Sequence, residues 1–104
     1  MKFIKERGRP LVEINPGSDE MALKIDDALK AIELLQNTHL AILGGDILSD
    51  ESGELTYIYE NWYCEKIKNE NQDEYRNRSF DFAKKYINNL VERGSKNLFV
   101  VLVT

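Results

Sequence analysis

Asp46, Asp50, Glu51 and Glu54 are the densest group of side chains in this sequence that can do chemistry. Their oxygens suit Ca²⁺ or Mg²⁺, but the spacing is not that of a calcium loop, whose ligands alternate and close with a glutamate at the twelfth position. No metal or other cofactor is expected. Asp26-Asp27 and Asp73-Glu74 are neighbours in sequence and so point in different directions on a helix, which gives no acid/base pair. His39 has no Cys or His at ligand spacing and reads as part of a connector between a helix and a strand. Cys64 is the single cysteine, and the adjacent Glu65 disfavours its thiolate, so it reads as a buried structural residue and not as a nucleophile.

Gly44-Gly45-Asp46 is similar to the G-G-D-E-F signature of cyclic-dinucleotide synthases, whose glycines approach a nucleotide and whose carboxylates hold metal. Here Ile47 stands where the second carboxylate belongs, and no earlier Asp is placed to join Asp46. The glycines are therefore read as backbone geometry, a bulge or a close approach between strands. With no catalytic constellation, the chain reads as a binding protein and not as an enzyme.

Charge is the stronger signal. The 104 residues carry a net charge of −4, but residues 46–75 alone hold nine acidic and two basic side chains, while residues 76–104 hold two and six. Nucleic acid is an unsuitable partner for such an acid block, because phosphate binding relies on Lys and Arg. A basic protein surface is the better electrostatic match. The lone cysteine suits a reducing compartment, and the cytoplasm is expected. No signal peptide is expected from the start of the chain, and no run reaches the ~20 apolar residues of a membrane helix.

Apolar residues make up 42% and charged residues 31%, the balance of a folded globular chain, and a single domain over residues 1–104 is expected. Phe3, Ile4, Leu11, Val12 and Ile14 suggest a short strand before the turn Asn15-Pro16-Gly17-Ser18. Met21, Ile25, Leu29, Ile32 and Leu35 recur at helical spacing and predict a helix over 20–36, with Asp19 and Glu20 at its positive end. Residues 40–48 and 54–65 read as two strands of an antiparallel hairpin, with Gly53 supplying a positive φ in the connection.

Residues 66–73 form a polar loop. Asn71 with Glu74 three positions on is a helix-starting capping pair, and Tyr75, Ser79, Phe82, Ala83, Tyr86, Ile87 and Leu90 make the inward stripe of a helix that Gly94 ends. The continuous apolar run 97–104 suits a strand in the sheet interior. The fold class expected is α+β: a two-layer α/β sandwich, its sheet mixed but mainly antiparallel, with two helices on one face.

Within the hairpin, period-two alternation places Tyr57, Tyr59 and Tyr63 on one face and Ile58, Trp62 and Cys64 on the other. Turning the second set toward the helices leaves an open face of tyrosines rimmed by carboxylates. The candidate partner-binding residues are accordingly Asp46, Asp50, Glu51, Glu54, Tyr57, Tyr59, Glu60 and Tyr63, since aromatic residues are the usual anchors of protein recognition.

The run Ile42-Leu43-Gly44-Gly45-Asp46-Ile47, then Glu60-Asn61-Trp62-Tyr63-Cys64-Glu65, then Glu74-Tyr75-Arg76-Asn77-Arg78-Ser79 before a helix and a terminal apolar strand, resembles bacterial polymorphic-toxin immunity proteins, in particular the immunity protein 40 family. The resemblance spans roughly Asp26 to Val103. It implies a small cytosolic protein, without catalysis, that binds and neutralises a cognate toxin; it does not fix the contact residues. Neither a nucleic acid nor a membrane is an expected partner, and the oligomeric state is left open. The alternative is a scaffold or homodimer built by sheet-edge pairing without a toxin.

Overall fold

The computed structural model describes residues 1–94 and 96–104. Its centre is the strand β5 (Leu98–Val103), which pairs antiparallel with β2 (Met21–Lys24) on one side and with β3 (Gly44–Ser49) on the other. The edges are β1 (Arg9–Pro10), paired with β2, and β4 (Thr56–Tyr63), paired with β3, which gives the order β1-β2-β5-β3-β4. Every pairing is antiparallel. Thus the expected α+β sandwich holds, without the mixed pairing, and the apolar last run lies in the sheet interior.

Three helices accompany the sheet: α1 (Lys2–Arg7), α2 (Ile25–Leu35) and α3 (Gln72–Glu92). Ala28, Ala31, Ile32 and Leu35 of α2 and Phe80, Ala83, Ile87 and Leu90 of α3 close over Leu23, Ile47, Trp62 and Val100 of the sheet to form the main core. A smaller core lies on the opposite face, where Leu11 of the 3-10 turn Leu11–Glu13 and Leu55 cover Ala22, Leu48, Phe99 and Val101. Because β5 is buried on both faces, it can be apolar at successive positions.

Two parts of the chain depart from the sequence reading. The first segment forms α1, the two-residue β1 and a 3-10 turn instead of one short strand. Residues 21–24 form β2 and not the start of a helix, so Asp26 and Asp27, not Asp19 and Glu20, occupy the first turn of α2. The reason is that Ala22 and Leu23 bury on opposite faces of the sheet, which a strand beside β5 permits and a one-sided helix does not.

Helix α3 begins at the expected capping box: the Asn71 side chain accepts from the Glu74 N–H (2.8 Å) and Glu74 accepts from the Asn71 N–H (3.0 Å). Its inward stripe differs in one aromatic, since Phe80 is buried while Phe82 is 40% exposed. Phe80 packs toward α2, and the Arg76 guanidinium above its ring reaches the carbonyl oxygens of Gln36, Thr38 and Leu40 in the segment that follows α2. Ser79, buried, accepts from the Ile42 N–H (3.0 Å) and donates to the Arg76 carbonyl (2.7 Å), fixing the entry to β3.

The close approach expected at the paired glycines is present. A Cβ on Gly44 would collide with the Trp62 carbonyl, and one on Gly45 with the Trp62 ring. Trp62 is stacked on Tyr86 of α3 with ring centroids 4.7 Å apart. Its indole N–H has no acceptor among the described residues, so packing rather than hydrogen bonding holds the ring.

Gly45→Ala should destabilise the fold by ~1–3 kcal/mol through overpacking against Trp62. Trp62→Ala should cost ~3–5 kcal/mol. Urea unfolding of both variants checks these values, and a near-neutral Trp62→Ala would show that this ring is not a core element.

Candidate functional site

The eight candidate residues all lie on the β3–β4 hairpin and its loop, but the structure divides them. Glu51 and Glu54 are exposed in the loop, where Gly53 takes the expected positive φ of 96°. Asp50 sits beside them and is held by Arg9 (3.0 Å), whose guanidinium also lies 5.1 Å from the Phe99 ring centroid. Between this loop and the 3-10 turn runs a shallow cleft of about 440 Å³ that includes Arg9, Glu13, Glu54 and Leu55.

Asp46 is half-buried opposite Asn61 and, by alternation with Ile47, shares the face of Leu48, away from α2 and α3. It has a neighbour that sequence reasoning missed. Burial first, and then the charges of Asp46 and Asp19, raise the pKa of Glu20 from its ordinary value. Reading Glu20 as a helix-terminal residue concealed this proximity, because only the β2–β5–β3 pairing brings the two segments together.

The tyrosines are not equivalent. Tyr57 is half-buried against the smaller core, whereas Tyr59 is 95% exposed and Tyr63 73% exposed. The alternation predicted for β4 holds for Trp62 and Cys64, which are buried, but it is broken by a bulge: Ile47 faces Glu60 and the next residue, Leu48, faces Tyr57. Ile58 and Tyr59 are the inserted pair, and Ile58, expected toward the helices, is 39% exposed. Tyr59 has φ 60°, a left-handed conformation that costs a non-glycine residue on the order of 1 kcal/mol. The bulge thus lies in β4, not at Gly44-Gly45.

Glu60 turns to the helix side and not to the tyrosine face. Its carboxylate accepts from the Tyr86 hydroxyl (2.8 Å) and pairs with Arg93, the C-cap of α3. The Arg93 hydrogen bond is the main cause that holds its pKa below the ordinary value, opposed by burial. Burial and the same carboxylate push the Tyr86 hydroxyl up to about 12.

A third arginine completes the pattern. Arg78 of α3 pairs with Glu70 (2.7 Å), donates to the Cys64 sulfur (3.3 Å) and reaches the Glu65 carbonyl. Cys64 is therefore a buried acceptor beneath a guanidinium, and the buried Tyr75 donates its hydroxyl to the Cys64 carbonyl (2.6 Å). Arg9, Arg78 and Arg93, all from outside the acid block, neutralise Asp50, Glu70 and Glu60. Asp46, Glu51, Glu54, Glu65, Asp73 and Glu74 have no ion pair among the described residues. Folding reduces the acid block, and the carboxylates left unpaired lie on β3, in the hairpin loop, just beyond β4 and at the start of α3.

Compared with known families, the chain is matched over residues 10–104 by the model of the family described as Immunity protein 40. The chain belongs to that family. Its members imply a toxin partner that is neutralised, an inhibitory role rather than a catalytic one. The match includes Pro10 of β1, the 3-10 turn and β2, so it begins well before the Asp26 boundary of the sequence resemblance, and residues 1–9, with α1 and Arg9, lie outside it. Neither the curated proteins nor the solved structures compared contain a match. No helix among the described residues is long and apolar enough to cross a membrane.

Arg78, with help from the Ile67 N–H, holds the Glu70 carboxyl at about 2, well below its ordinary 4.5. A lowered folded-state value stabilises the fold above the unfolded value and ceases to do so as pH falls through the folded one. Wild-type protein should therefore exceed Glu70→Gln in stability above about pH 4.5 and lose that advantage as pH falls toward 2. Urea midpoints of the two proteins across this range test the expectation; a difference independent of pH would refute it.

Proposed function

We propose that this immunity protein neutralises its cognate bacterial toxin domain in the cytosol through the acidic, aromatic surface of the β3–β4 hairpin. Asp46, Glu51, Glu54, Tyr59 and Tyr63 meet the toxin. Asp50, Tyr57 and Glu60 hold that surface in shape through Arg9, the smaller core, and the Tyr86–Arg93 pair. The observation that carries this reading is Tyr59, presented almost wholly to solvent from a left-handed position on the same hairpin as Asp46, Glu51 and Glu54, which have no ion pair among the described residues. A basic region of the toxin, such as a cleft that binds phosphates, is the complementary surface. In that case the hairpin occupies the place of a nucleic acid and binds none itself.

Opposite charges across such an interface speed encounter and make it salt-sensitive, whereas buried aromatic anchors set the rate of dissociation. A scaffold or homodimer without a toxin would predict self-association instead. Co-expression with the toxin domain encoded beside this protein tests the proposal. Survival with co-purification is the expected result, and death of cells that contain folded protein, with no complex, would reject that toxin as the partner.

The double variant Glu51→Lys/Glu54→Lys should weaken the complex by about tenfold or more and slow association. Its folding stability should change by less than about 0.5 kcal/mol per site, since both residues are exposed. Titration calorimetry with thermal melting separates the two effects; unchanged affinity would remove the loop from the interface.

A further inference from the structure

The outer strand β4 presents a row of backbone groups that the surface reading does not use. Its counterpart at the other edge, β1, has two residues and includes a proline, so β4 is the longer open edge. The Cys64 N–H donates inward to the Leu43 carbonyl (2.8 Å). In an antiparallel ladder, successive residues direct their N–H and C=O groups alternately to the two sides. Trp62 and Glu60 therefore bond to β3, while the N–H and C=O groups of Asn61 and Tyr63 point out of the sheet.

The bulge limits what can use this edge. With Ile58 and Tyr59 displaced from the ladder, only the four residues Glu60–Tyr63 run in regular register. A long strand from a second copy cannot zip along all of β4, the usual effect of an edge bulge. Self-pairing would also bring together two acid blocks whose Glu54 and Glu65, beyond the ends of β4, have no ion pair among the described residues. An extended basic segment meets no such repulsion.

We infer that the toxin adds a short basic β-strand to this edge, with its backbone bonded to Asn61 and Tyr63. Its Lys or Arg side chains lie against the tyrosine rings and the flanking carboxylates. Main-chain bonds supply the register, and the charged and aromatic side chains supply selectivity. The inference rests on the toxin-binding reading above and specifies its mode.

Amide exchange followed by NMR, in the free chain and in its complex with an inactivated form of the neighbouring toxin domain, reads the edge directly. The Asn61 and Tyr63 amides should exchange rapidly in the free chain and about tenfold or more slowly in the complex, while Trp62 and Cys64 stay protected in both. Asn61→Pro removes the outward N–H and should weaken binding by about tenfold or more, whereas Asn61→Ala keeps it and should bind within about threefold of wild type. A complex that leaves both amides unprotected overturns edge pairing while toxin binding stands. If Asn61→Pro remains folded and binds as wild type does, the outcome is the same. Concentration-dependent protection in the free chain would assign the edge to a second copy and overturn the inference. Wild-type protein that forms no complex overturns the toxin-binding reading and this one with it.

Discussion

The fold depends on one constraint: β5 is apolar on both sides and must be covered on both. Val100 faces the core under α2 and α3, while Phe99 and Val101 face the core under Leu11 and Leu55. Neither cover works alone. The helices bury one face, and the N-terminal turn and the hairpin loop are drawn over the other. This second cover brings Arg9 to Asp50 and seats Tyr57, so the candidate surface is built on residues recruited to bury the reverse side of β5.

Electrostatics then selects what remains available. An acid block held within one small region repels itself, and three arginines from distant parts of the chain relieve part of that repulsion. Two of them, Arg78 and Arg93, also fasten α3 to the hairpin and the loop after it. Exposed pairs of this type add little stability individually. Their larger effect is positional, because they leave Glu51, Glu54 and Asp46 as the hairpin carboxylates without a cationic partner among the described residues.

The hairpin combines rigid and yielding features. Trp62 is locked between Gly45 and Tyr86 on the inner side, and the same strand three and four residues earlier is bulged and exposed, with Tyr59 left-handed. A packed anchor beneath an irregular edge lets a large aromatic residue be offered to solvent without loosening the core. Such an arrangement suits a protein whose task is to present a surface.

Much of this was legible in short-range patterns. The continuous apolar run of β5, the two-strand hairpin, the Asn71–Glu74 cap, the glycine contact and the burial of Cys64 follow from periodicity, capping chemistry and residue volume, each determined within a few residues. Resemblance in the G-G-D and N-W-Y segments added the family. What the sequence left open were properties that depend on a distant neighbour. Met21–Lys24 is a strand because β5 lies beside it, and Phe80 is buried in place of Phe82 because α2 lies on that side. Glu60 shares the Trp62 face by alternation, but that Tyr86 and Arg93 wait there depends on the packing of α3, and Glu20 approaches Asp46 because three strands align. Local spacing determines which faces a segment has; only tertiary packing decides what each face meets, because burial and ion pairing are settled between residues far apart in the chain.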